Sequence, residues 1–569
     1  MRLRINQSPK VQTRNHYDWV LLLSWTVLGC WLRFLNLTAK PPWTDEFATM
    51  VFSLGNHYNS VLLDQVISLE GLLSPLKFNP DTTIFEVVSL LLQEDNHPPL
   101  YFILAHWWMK LFPLDGEYMS VLAARSLPAL LGGLSIPAVY ILGRIAFSSR
   151  LVGQLSAMMM AVSPYGVFIA QEARHYTLGI LLVIFSLCCL VIAVKQIEKG
   201  VIISAGLMLI WITLNCLGLG VHYFFILTLC AQGMSLLFNL PYQLRRTLIW
   251  RKNCWRLGLV ALFTLTLGMS WVLWIIPQDY GKGMTEWIRP DNWSLLSLIS
   301  PIFQLLAAWV TMIILLPIES SYFPLVIFSG LLMLFFLVWS IPKLNRGLKI
   351  CYQNLNYRLG IKLLLGFVLS AIALFFGMTY FLRIDITRGA RYSFVYFPAI
   401  PVLLGGILSV FWNPYYLNLT RYFRQSQMTV LIIGFIGLLS AMTINFDLGY
   451  QKYYLPNQLV KVIEKTSSNQ VLIATTHQNL VQTGEMMGIG WELYKNPLPI
   501  DIKFLLAHTP LNDSKSAIMT LQANLNQLSR PLDVWLVNFK ASVELKNCEA
   551  DFDNFSEING YNYQRYHCF

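Results

Sequence analysis

The run Trp19–Leu37, with the sequence WVLLLSWTVLGCWLRFLNL, decides the class of fold to which this chain belongs. It follows a basic amino-terminal segment that contains Arg2, Arg4, Lys10 and Arg14. About 20 mostly apolar residues are needed to cross a bilayer, and the run is too long for the core of a cleaved signal peptide. We therefore interpret it as an uncleaved first membrane span with its amino terminus in the cytoplasm.

The composition of the whole chain is that of a polytopic membrane protein. Its 569 residues are 55% hydrophobic and 12% charged, and the mean hydropathy is +0.52. Soluble proteins have about 25% charged residues, so a soluble globular enzyme and a disordered or fibrous chain are both excluded. The net charge of +11 could indicate nucleic-acid binding. However, the basic residues fall mostly in short loops between apolar runs, where they set topology, so we expect no nucleic-acid partner.

Apolar runs of similar length recur up to residue 447. We predict about 11 transmembrane helices, from the roughly 20 apolar residues that each crossing needs. The loops assigned to the cytoplasmic side, which include Arg245, Arg246 and Arg421, carry more Lys and Arg residues than the loops on the opposite side, in agreement with the positive-inside rule. The predicted spans lie near residues 18–37, 120–143, 151–170, 177–194, 201–220, 222–240, 257–277, 322–341, 362–381, 392–412 and 429–447.

Two further apolar stretches, Pro98–Pro113 and Leu295–Leu316, do not fit this topology as full spans. Counting both would place the basic loop Arg245–Arg256 outside, against the positive-inside rule. We interpret both as helices that lie in or dip into the outer interface. A variant with up to about 13 spans, in which both stretches cross the membrane, stays open.

Two long polar segments are expected outside the membrane. The first is residues 38–119, and the second is residues 448–569, which contain the strand-like runs Val471–Thr475 and Asp533–Val537. We therefore predict a transmembrane module over residues 1–447, which includes the outer loop 38–119 with interfacial helices. A small extracytoplasmic α/β domain would follow over residues 448–569.

Cysteines and glycines give two further expectations for the second polar segment. Cys548 and Cys568 could form a disulfide in an oxidising compartment, although their spacing does not prove one. Gly484, Gly488 and Gly490 are spaced in part like a dinucleotide loop, but the run lacks the strand–helix context for one. We interpret the glycine run as a flexible loop.

Two adjacent carboxylates follow the first span in the motif Trp43-Thr44-Asp45-Glu46. Neighbouring side chains diverge by about 100° in a helix and point to opposite faces in a strand. The two groups therefore do not act on one atom, but one can be a general base while the other positions a group. The alternative is an acidic first turn of an interfacial helix, which the helix dipole would stabilise.

Two more motifs place polar groups beside predicted spans. His97 precedes Pro98 and Pro99 at a predicted helix start, where a phosphate or carboxylate could bind, unless this is a simple loop-to-helix boundary. The run Gln171–Tyr176 (QEARHY) is a charged cluster that costs roughly 2.5–3.5 kcal/mol per charge if it is buried, or else a solvated loop. Its candidate residues are Glu172, Arg174, His175 and Tyr176.

Arginines on the outer side run against the positive-inside bias. Arg383, Arg388 and Arg391 enter the predicted span 392–412 from outside, which suggests that they hold an anion such as a lipid phosphate. Arg125, at the outer start of the second predicted span, is a further candidate, with a structural role as the alternative. Taken together, these motifs would face a site between water and lipid, which suits a reaction between a lipid-borne phosphate and a hydroxyl acceptor.

At these motifs the chain resembles the superfamily of protein O-mannosyltransferases and lipid A aminoarabinose transferases. The resemblance consists of Asp-Glu after the first span, His-Pro-Pro-Leu from His97, Arg-Ser-Leu-Pro-Ala-Leu from Arg125 and Gln-Glu-Ala-Arg-x-Tyr from Gln171. It covers about residues 15–410 and is strongest over 40–180. It implies a GT-C fold and the transfer of a sugar from a polyprenyl-phosphate donor.

The resemblance also implies roles for residues at matching positions. Asp45 would deprotonate the acceptor, Glu46 would be the second acidic residue of the pair, and His97 would lie near the donor phosphate and sugar. Arg125, Arg174 and Arg391 match outer-face basic residues, whose contact with phosphate is a hypothesis. The chain shows no MIR-type domain, which favours a bacterial-type enzyme in the inner membrane, with its site facing the periplasm or exterior.

The chemistry of such a transfer needs one general base and one cationic group that binds the leaving phosphate. The acceptor hydroxyl is a poor nucleophile that gains from a base, and cationic groups stabilise the leaving phosphate. This suits a single displacement with inversion. No cofactor is required, although a divalent metal at the acidic pair is compatible with the mechanism. The expected partners are the polyprenyl-phosphate sugar, a hydroxyl acceptor on a protein, lipid or glycan, and membrane lipid.

Two other classes of function stay open. A transporter or flippase for a lipid-linked sugar would need polar residues deep in its spans and an internal repeat. An oligosaccharide polymerase or ligase would place its main site in a large late outer loop, whereas the acidic pair lies in the first. Loss of sugar transfer in Asp45→Asn, with expression intact, would separate the transferase from both.

Overall fold

The protein is described from a computed structural model over residues 11–569, without 96, 240–247, 276–286, 290–293, 414–422, 510–513, 542 and 552–556. Several basic residues on which the topology prediction rests lie outside the described residues: Arg2, Arg4, Lys10, Arg245, Arg246 and Arg421.

The described chain is mainly helical, with six short strands near its carboxyl end and in the first polar segment. The helices are α1 Val11–Phe34, α2 Thr44–Ser53, α3 Leu69–Leu73, α4 Ile84–Glu94, α5 Leu100–Met109, α6 Val121–Phe147, α7 Arg150–Ala161, α8 Pro164–Phe168, α9 Tyr176–Glu198, α10 Ala205–Val221, α11 Phe225–Asn239, α12 Leu248–Ile275, α13 Leu295–Ile313, α14 Phe323–Gln353, α15 Leu355–Leu382, α16 Ala399–Trp412, α17 Phe423–Asn445, α18 Pro456–Thr466, α19 Leu480–Lys495 and α20 Ser514–Leu525. The strands are β1 Val66–Ser68, β2 Gln470–His477, β3 Ile502–His508, β4 Leu532–Val537, β5 Cys548–Ala550 and β6 Tyr563–Cys568.

Six helices of the described chain are long and apolar enough to cross a membrane: α6, α9, α13, α14, α15 and the part Ser426–Asn445 of α17. Helix α5 has 10 residues, about 15 Å at 1.5 Å per residue, which is half of a bilayer core. That length agrees with the prediction that Pro98–Pro113 is not a full span. Helix α13, with 19 residues, is long and apolar enough to cross a membrane, so both the interfacial prediction for Leu295–Leu316 and the variant with more spans stay open.

The chain divides into two compact units. The first consists of Met1–Leu37, Pro128–Ile275 and Ile288–Tyr450, and the second of Thr38–Leu127, Ile276–Trp287 and Gln451–Phe569. The sequence prediction grouped residues 38–119 with the transmembrane module. The structure differs, because this segment shares a compact unit with the carboxyl-terminal residues.

In the first unit, the predicted span 151–170 is divided into α7 and α8. Ser163 accepts a hydrogen bond from the backbone N–H of Gly166 and caps α8, which starts with a proline. The guanidinium of Arg33, which is fully buried, donates to the carbonyl oxygens of Met160 at 2.9 Å and Ala161 at 3.3 Å. These bonds satisfy carbonyls that the end of α7 leaves without helical partners.

The predicted span 392–412 also starts later than expected. Residues Ile386–Arg388 and Ala390–Val395 form 3-10 helices, and α16 begins only at Ala399. Arg388 and Arg391, which were predicted to enter a span, therefore lie in 3-10 helices, whereas Arg383 caps the end of α15. This placement allows successive side chains to project in more directions than one face of an α-helix would.

A neutral polar network connects four helices of the first unit. The Ser186 hydroxyl on α9 donates to Asn215 on α10 at 2.7 Å and accepts from Gln232 on α11 at 2.9 Å. The Asn215 amide donates to Thr264 on α12 at 3.3 Å. Side-chain hydrogen bonds of this kind hold apolar helices together where lipid gives them no hydrophobic reason to associate.

The second unit is built around one sheet with the strand order β1-β3-β2-β4-β6-β5. Strand β2 is parallel to both β3 and β4, and the outer pairs are antiparallel. Strand β1 comes from the first polar segment and places Val66 opposite Leu505. Residues of the predicted outer loop therefore complete the sheet of the α/β domain, which is why the two segments form one unit. Cys548 and Cys568 form a disulfide between β5 and β6.

Candidate functional site

The acidic pair opens helix α2. The helix begins at Thr44 after an extended Trp43, and Asp45 and Glu46 occupy its first turn. The Glu46 carboxylate accepts from the backbone N–H of Trp43 at 3.4 Å, which is the return half of a capping box. Acidic side chains are favoured here by the helix dipole. Successive positions on this turn give the two carboxylates different surroundings.

Glu46 is buried against Arg125, which lies in the first turns of α6. Nε of Arg125 donates to Oε1 of Glu46 at 2.7 Å, and Nη2 donates to Oε2 at 2.8 Å. Each residue is 1% exposed. Two parallel bonds between a guanidinium and a carboxylate are the strongest common form of an ion pair. This pair fixes the first turn of α2 to α6.

The same guanidinium also holds the backbone that leads into α2. Nη1 of Arg125 donates to the carbonyl oxygen of Lys40 at 2.8 Å, and Nη2 donates to that of Pro41 at 3.2 Å. All three guanidinium nitrogens thus bond within the protein. The structure does not support the prediction that Arg125 binds phosphate, because its donors are directed at Glu46 and these carbonyls. These contacts agree with the alternative that Arg125 has a structural role.

Asp45 has a different environment from its neighbour. It is half-buried, whereas Glu46 is buried, and its backbone carbonyl accepts from the hydroxyl of Thr49 at 3.1 Å. A partly exposed carboxylate on a turn that its neighbours hold in place can meet a substrate hydroxyl. The assignment of one reactive and one positioning carboxylate stays a prediction.

Lys452 is a further charged group at this turn. Its ammonium nitrogen lies 3.9 Å from Oε2 of Glu46 and 5.1 Å from the centre of the Trp43 ring. The Lys452 side chain is 9% exposed. Sequence reasoning missed it because Lys452 lies far from the acidic pair along the chain. The available signal was a lysine among tyrosines directly after the last predicted span.

His97 lies just before α5, a helix that packs against α2. Its Nδ1 is 2.9 Å and 3.0 Å from the two carboxylate oxygens of Asp95, which is buried. The predicted helix start after Pro98 and Pro99 is present, since α5 begins at Leu100. The carboxylate fixes the orientation of the imidazole, and a contact between His97 and a donor phosphate stays a prediction.

In the first unit, Glu172, Arg174, His175 and Tyr176 are all buried. The alternative of a solvated loop for this motif is therefore wrong. The backbone N–H of Arg174 donates to the carbonyl of Glu172 at 2.7 Å, which gives a tight turn before α9. The cost of burying charges so close to apolar helices makes this cluster a candidate functional region.

The ring of His222 connects the motif Gln171–Tyr176 with the motif Arg388–Tyr392. His222 lies between α10 and α11, and its ring centre is 4.7 Å from that of His175 and 5.7 Å from that of Tyr176. The ring of Tyr392 packs edge-on against it at 6.2 Å. Sequence reasoning missed His222, although a lone histidine between two apolar runs was a usable signal.

The two predicted arginine candidates of this region flank the ring cluster. The guanidinium of Arg174 lies 5.9 Å from the Tyr176 ring, and that of Arg391 lies 5.5 Å from the Tyr392 ring. The structure thus brings together the motifs Gln171–Tyr176 and Arg388–Tyr392. Cations beside aromatic faces are held in place while their outer surface can still meet an anion.

Arg388 has another partner. Its Nε lies 3.4 Å from Oδ2 of Asp385, while Oδ1 of the same carboxylate accepts from the Thr387 backbone at 3.1 Å. Arg388 is therefore paired inside its own turn, and its binding of an anion stays a prediction. Within the described residues, no group of three or more His, Cys, Asp or Glu side chains is arranged to hold a metal ion.

The predicted flexible glycine loop is wrong. Gly484, Gly488 and Gly490 lie within α19, which follows strand β2 directly, and all three are buried. A Cβ on Gly484 would come 2.6 Å from Cγ2 of Thr44 in α2. The glycines allow α19 to approach its neighbours closely, and the strand–helix turn itself carries His477, Gln478 and Asn479 rather than glycine.

No protein-family model and no curated protein matches the chain. Among solved structures, the chain is similar to ArnT from Cupriavidus metallidurans bound to undecaprenyl phosphate, with 10% identity and a TM-score of 0.49 over 93% of each chain. It is also similar to the Archaeoglobus fulgidus oligosaccharyltransferase in complex with zinc and sulfate, with 13% identity and a TM-score of 0.48 over 91% of this chain and 68% of that one.

A third similarity is to the S. cerevisiae protein O-mannosyltransferase Pmt1-Pmt2 complex bound to the sugar donor, with 14% identity and a TM-score of 0.33. It covers 45% of this chain and 33% of that one. With identities of 10–14% and TM-scores below 0.5, these similarities do not establish an activity for this chain.

Proposed function

We propose that this protein is a membrane glycosyltransferase that moves a monosaccharide from a polyprenyl-phosphate donor to a hydroxyl acceptor. The reaction would take place on the extracytoplasmic side of a bacterial inner membrane. Apolar helices long enough to span a bilayer support the membrane location. The resemblance of the sequence motifs supports the class of donor.

The observation that carries the proposal is the contrast within the acidic pair. The Arg125 guanidinium holds both carboxylate oxygens of Glu46, whereas Asp45 is half-buried on the same turn. An enzyme that activates a hydroxyl needs a carboxylate that is held firmly and still open to substrate. Asp45 fits that requirement, and Glu46, through Arg125, would hold the turn that carries Asp45.

The proposed reaction is a single displacement. Asp45 accepts the proton of the acceptor hydroxyl as its oxygen attacks the anomeric carbon of the donor sugar. The bond between that carbon and the phosphate oxygen breaks, and its electron pair leaves with the polyprenyl phosphate. Attack from the face opposite the leaving group inverts the anomeric centre, and no covalent enzyme intermediate forms.

In the first unit, Arg174 and Arg391 flank a cluster of aromatic and imidazole rings, and cations of this kind can bind a phosphate. His97, held by Asp95, would contribute an orienting contact to the donor. Dependence on a divalent metal stays open to test, by adding a chelator to the purified protein.

The polar network between the helices of the first unit gives the transporter alternative no support. Transport of a charged substrate across helices would require ionisable groups facing the path. The polar network of Ser186, Asn215, Gln232 and Thr264 consists of neutral side chains that bond to one another. Such a network is explained by helix association alone.

The test is sugar transfer by the purified protein in detergent with a panel of polyprenyl-phosphate monosaccharides and with lipid, glycan and peptide acceptors. Wild type is compared with Asp45→Asn and with Asp81→Asn, an exposed acidic residue of the same unit. Transfer by wild type and Asp81→Asn but not by Asp45→Asn supports the proposal. Equal transfer by all three contradicts the role of Asp45, and no transfer by any of them contradicts the enzyme class.

A further inference from the structure

We infer that the carboxyl-terminal residues 451–569 are a positioning element for the turn that carries Asp45, acting through Lys452 and helix α19. The inference rests on the proposed function, in which Asp45 is the base. It assigns the carboxyl-terminal segment a part in the chemistry, although the sequence resemblance does not extend to it. Two independent contacts with the first turn of α2 support it.

Lys452 makes the first contact. Its ammonium lies 3.9 Å from Oε2 of Glu46 and 5.1 Å from the ring centre of Trp43. These two residues flank Asp45 on the chain, because Trp43 precedes the helix and Glu46 follows the aspartate. A cation that attracts both a carboxylate and an aromatic face restrains the turn from both ends. With a side chain 9% exposed, Lys452 acts where water screens this attraction little.

The backbone around Lys452 is anchored in the α/β fold. The hydroxyl of Tyr454 donates to Oε1 of Glu485 on α19 at 2.5 Å, and Asn538 donates to Oε2 of the same carboxylate at 3.2 Å. The Tyr454 ring also packs against Tyr561 at 5.6 Å between centres. The ammonium of Lys452 is thus placed by the folded domain rather than by a free tail.

Helix α19 makes the second contact. A Cβ on Gly484 would lie 2.6 Å from Cγ2 and 3.2 Å from Cα of Thr44, so the two helices touch backbone to backbone at the residue before Asp45. One turn further along, a Cβ on Gly488 would lie 3.9 Å from Cε2 of Phe47, an ordinary van der Waals distance. A Cβ at position 484 would force the Thr44 methyl group, or the helix that carries it, to shift, because the interior is closely packed.

These contacts hold both neighbours of the proposed base. Thr44 is in close contact with α19, while Glu46 is held by Arg125 and lies beside Lys452. Catalytic groups must stay within about 0.5 Å of their productive position, and a shift of about 1 Å can cost roughly 100-fold in rate. The carboxyl-terminal residues therefore determine whether Asp45 reaches the acceptor hydroxyl.

The first experiment replaces the lysine. Lys452→Met keeps the length of the side chain and removes its charge, Lys452→Arg restores a cation, and Lys461→Met removes an exposed charge from α18 as a control. We expect Lys452→Met to lower kcat by about 10- to 100-fold with KM for the donor nearly unchanged, by the misplacement argument. Lys452→Arg should recover most of this loss. If Lys452→Met leaves kcat unchanged, whether or not KM for the donor changes, the inference is overturned.

The second experiment changes the close packing. Gly484→Ala should lower kcat, and adding Thr44→Ser, which removes the methyl group that the new Cβ meets, should restore part of it. Gly71→Ala is the control, because a Cβ at Gly71 makes only ordinary contacts, the nearest at 3.5 Å. Equal kcat values for Gly484→Ala and Gly71→Ala contradict the role of α19.

A third measurement separates this inference from the proposed function. Hydrogen–deuterium exchange of the peptide that spans Trp43–Ser53 reports the order of α2 without any need for activity. We expect faster exchange in Lys452→Met and in Gly484→Ala, and wild-type exchange in Lys461→Met and Gly71→Ala. Faster exchange in a protein that transfers no sugar would keep the positioning role and reject the proposed function. Unchanged exchange in both test variants would reject the positioning role.

Discussion

The two polar regions of the molecule are assembled by different forces. In the second unit, the first turn of α2 is held by charges and close backbone contact, through Arg125, Lys452 and α19. In the first unit, the motifs of Glu172–Tyr176 and Arg388–Tyr392 meet through the rings of His175, His222 and Tyr392. The comparison teaches that a buried charge can have a structural role or a functional one, and that the group it contacts indicates which role it has.

The two regions should therefore respond to different substitutions. Removing one charge should damage the first turn of α2 most, since a buried ion pair that loses one partner leaves the other charge uncompensated. Removing a ring should damage the cluster of the first unit, whereas replacing one ring by another should be tolerated.

The largest effect on stability is expected for Glu46→Gln. This change removes the charge that faces the buried guanidinium of Arg125, at a cost of about 3–5 kcal/mol for a broken buried pair. The measurement is the thermal unfolding temperature in detergent, with Glu70→Gln as the control at an exposed carboxylate of the same unit. An equal unfolding temperature for both variants would show that the pair does not hold the turn.

A smaller effect on stability is expected when the pH is lowered, and it arises in the second unit. Burial and the nearby His508 lower the pKa of His477 to about 4 from its usual value near 6.5. The folded state then binds fewer protons than the unfolded state, so this stability is complete above pH 6.5 and is lost as the pH falls towards 4. At 1.36 kcal/mol per pKa unit, the loss reaches about 3 kcal/mol.

Unfolding temperatures of wild type and His477→Gln at pH 7.5 and at pH 4.5 check this expectation. The amide of glutamine can keep a bond to Thr483, which His477 contacts at 3.0 Å, and it does not titrate. Wild type should lose more stability than the variant on acidification. An equal drop in unfolding temperature for the two proteins would mean that His477 does not contribute to the pH dependence of stability.

The smallest effect on stability is expected for His222→Phe, which keeps a ring in the cluster. His222→Ala should lower stability by roughly 0.5–1.5 kcal/mol for each ring contact that is lost, whereas His222→Phe should keep most of it. We also expect a higher KM for the donor in His222→Ala, because the cluster places Arg174 and Arg391. If His222→Phe is as damaging as His222→Ala, then the imidazole nitrogens matter and the cluster is not held by ring packing.

Sequence reasoning predicted the features that depend on short-range patterns. It placed the acidic turn after the first span, the helix start after Pro98 and Pro99, and strands in the carboxyl-terminal residues, whose disulfide it left open. Each of these follows from hydropathy period, proline geometry or composition within a few residues.

Long-range pairing was beyond such patterns. The bond between Glu46 and Arg125 and the approach of Lys452 join residues far apart in the chain, and nothing local to any of them indicates the partner. The glycines of α19 were predicted as a loop because glycine lowers helix propensity. Close contact with Thr44 and Phe47 outweighs that preference, and a sequence without its fold does not show such a contact.

The most direct test of the account is a paired measurement on the two neighbouring carboxylates, Asp45→Asn and Glu46→Gln, of transfer rate and unfolding temperature in the same preparations. The account predicts that Asp45→Asn lowers kcat by about 100- to 10,000-fold, the range for loss of a general base, at an unchanged unfolding temperature. Glu46→Gln should instead lower the unfolding temperature. A stable Glu46→Gln protein without transfer, beside an active Asp45→Asn protein, would contradict the assignment of the base to Asp45.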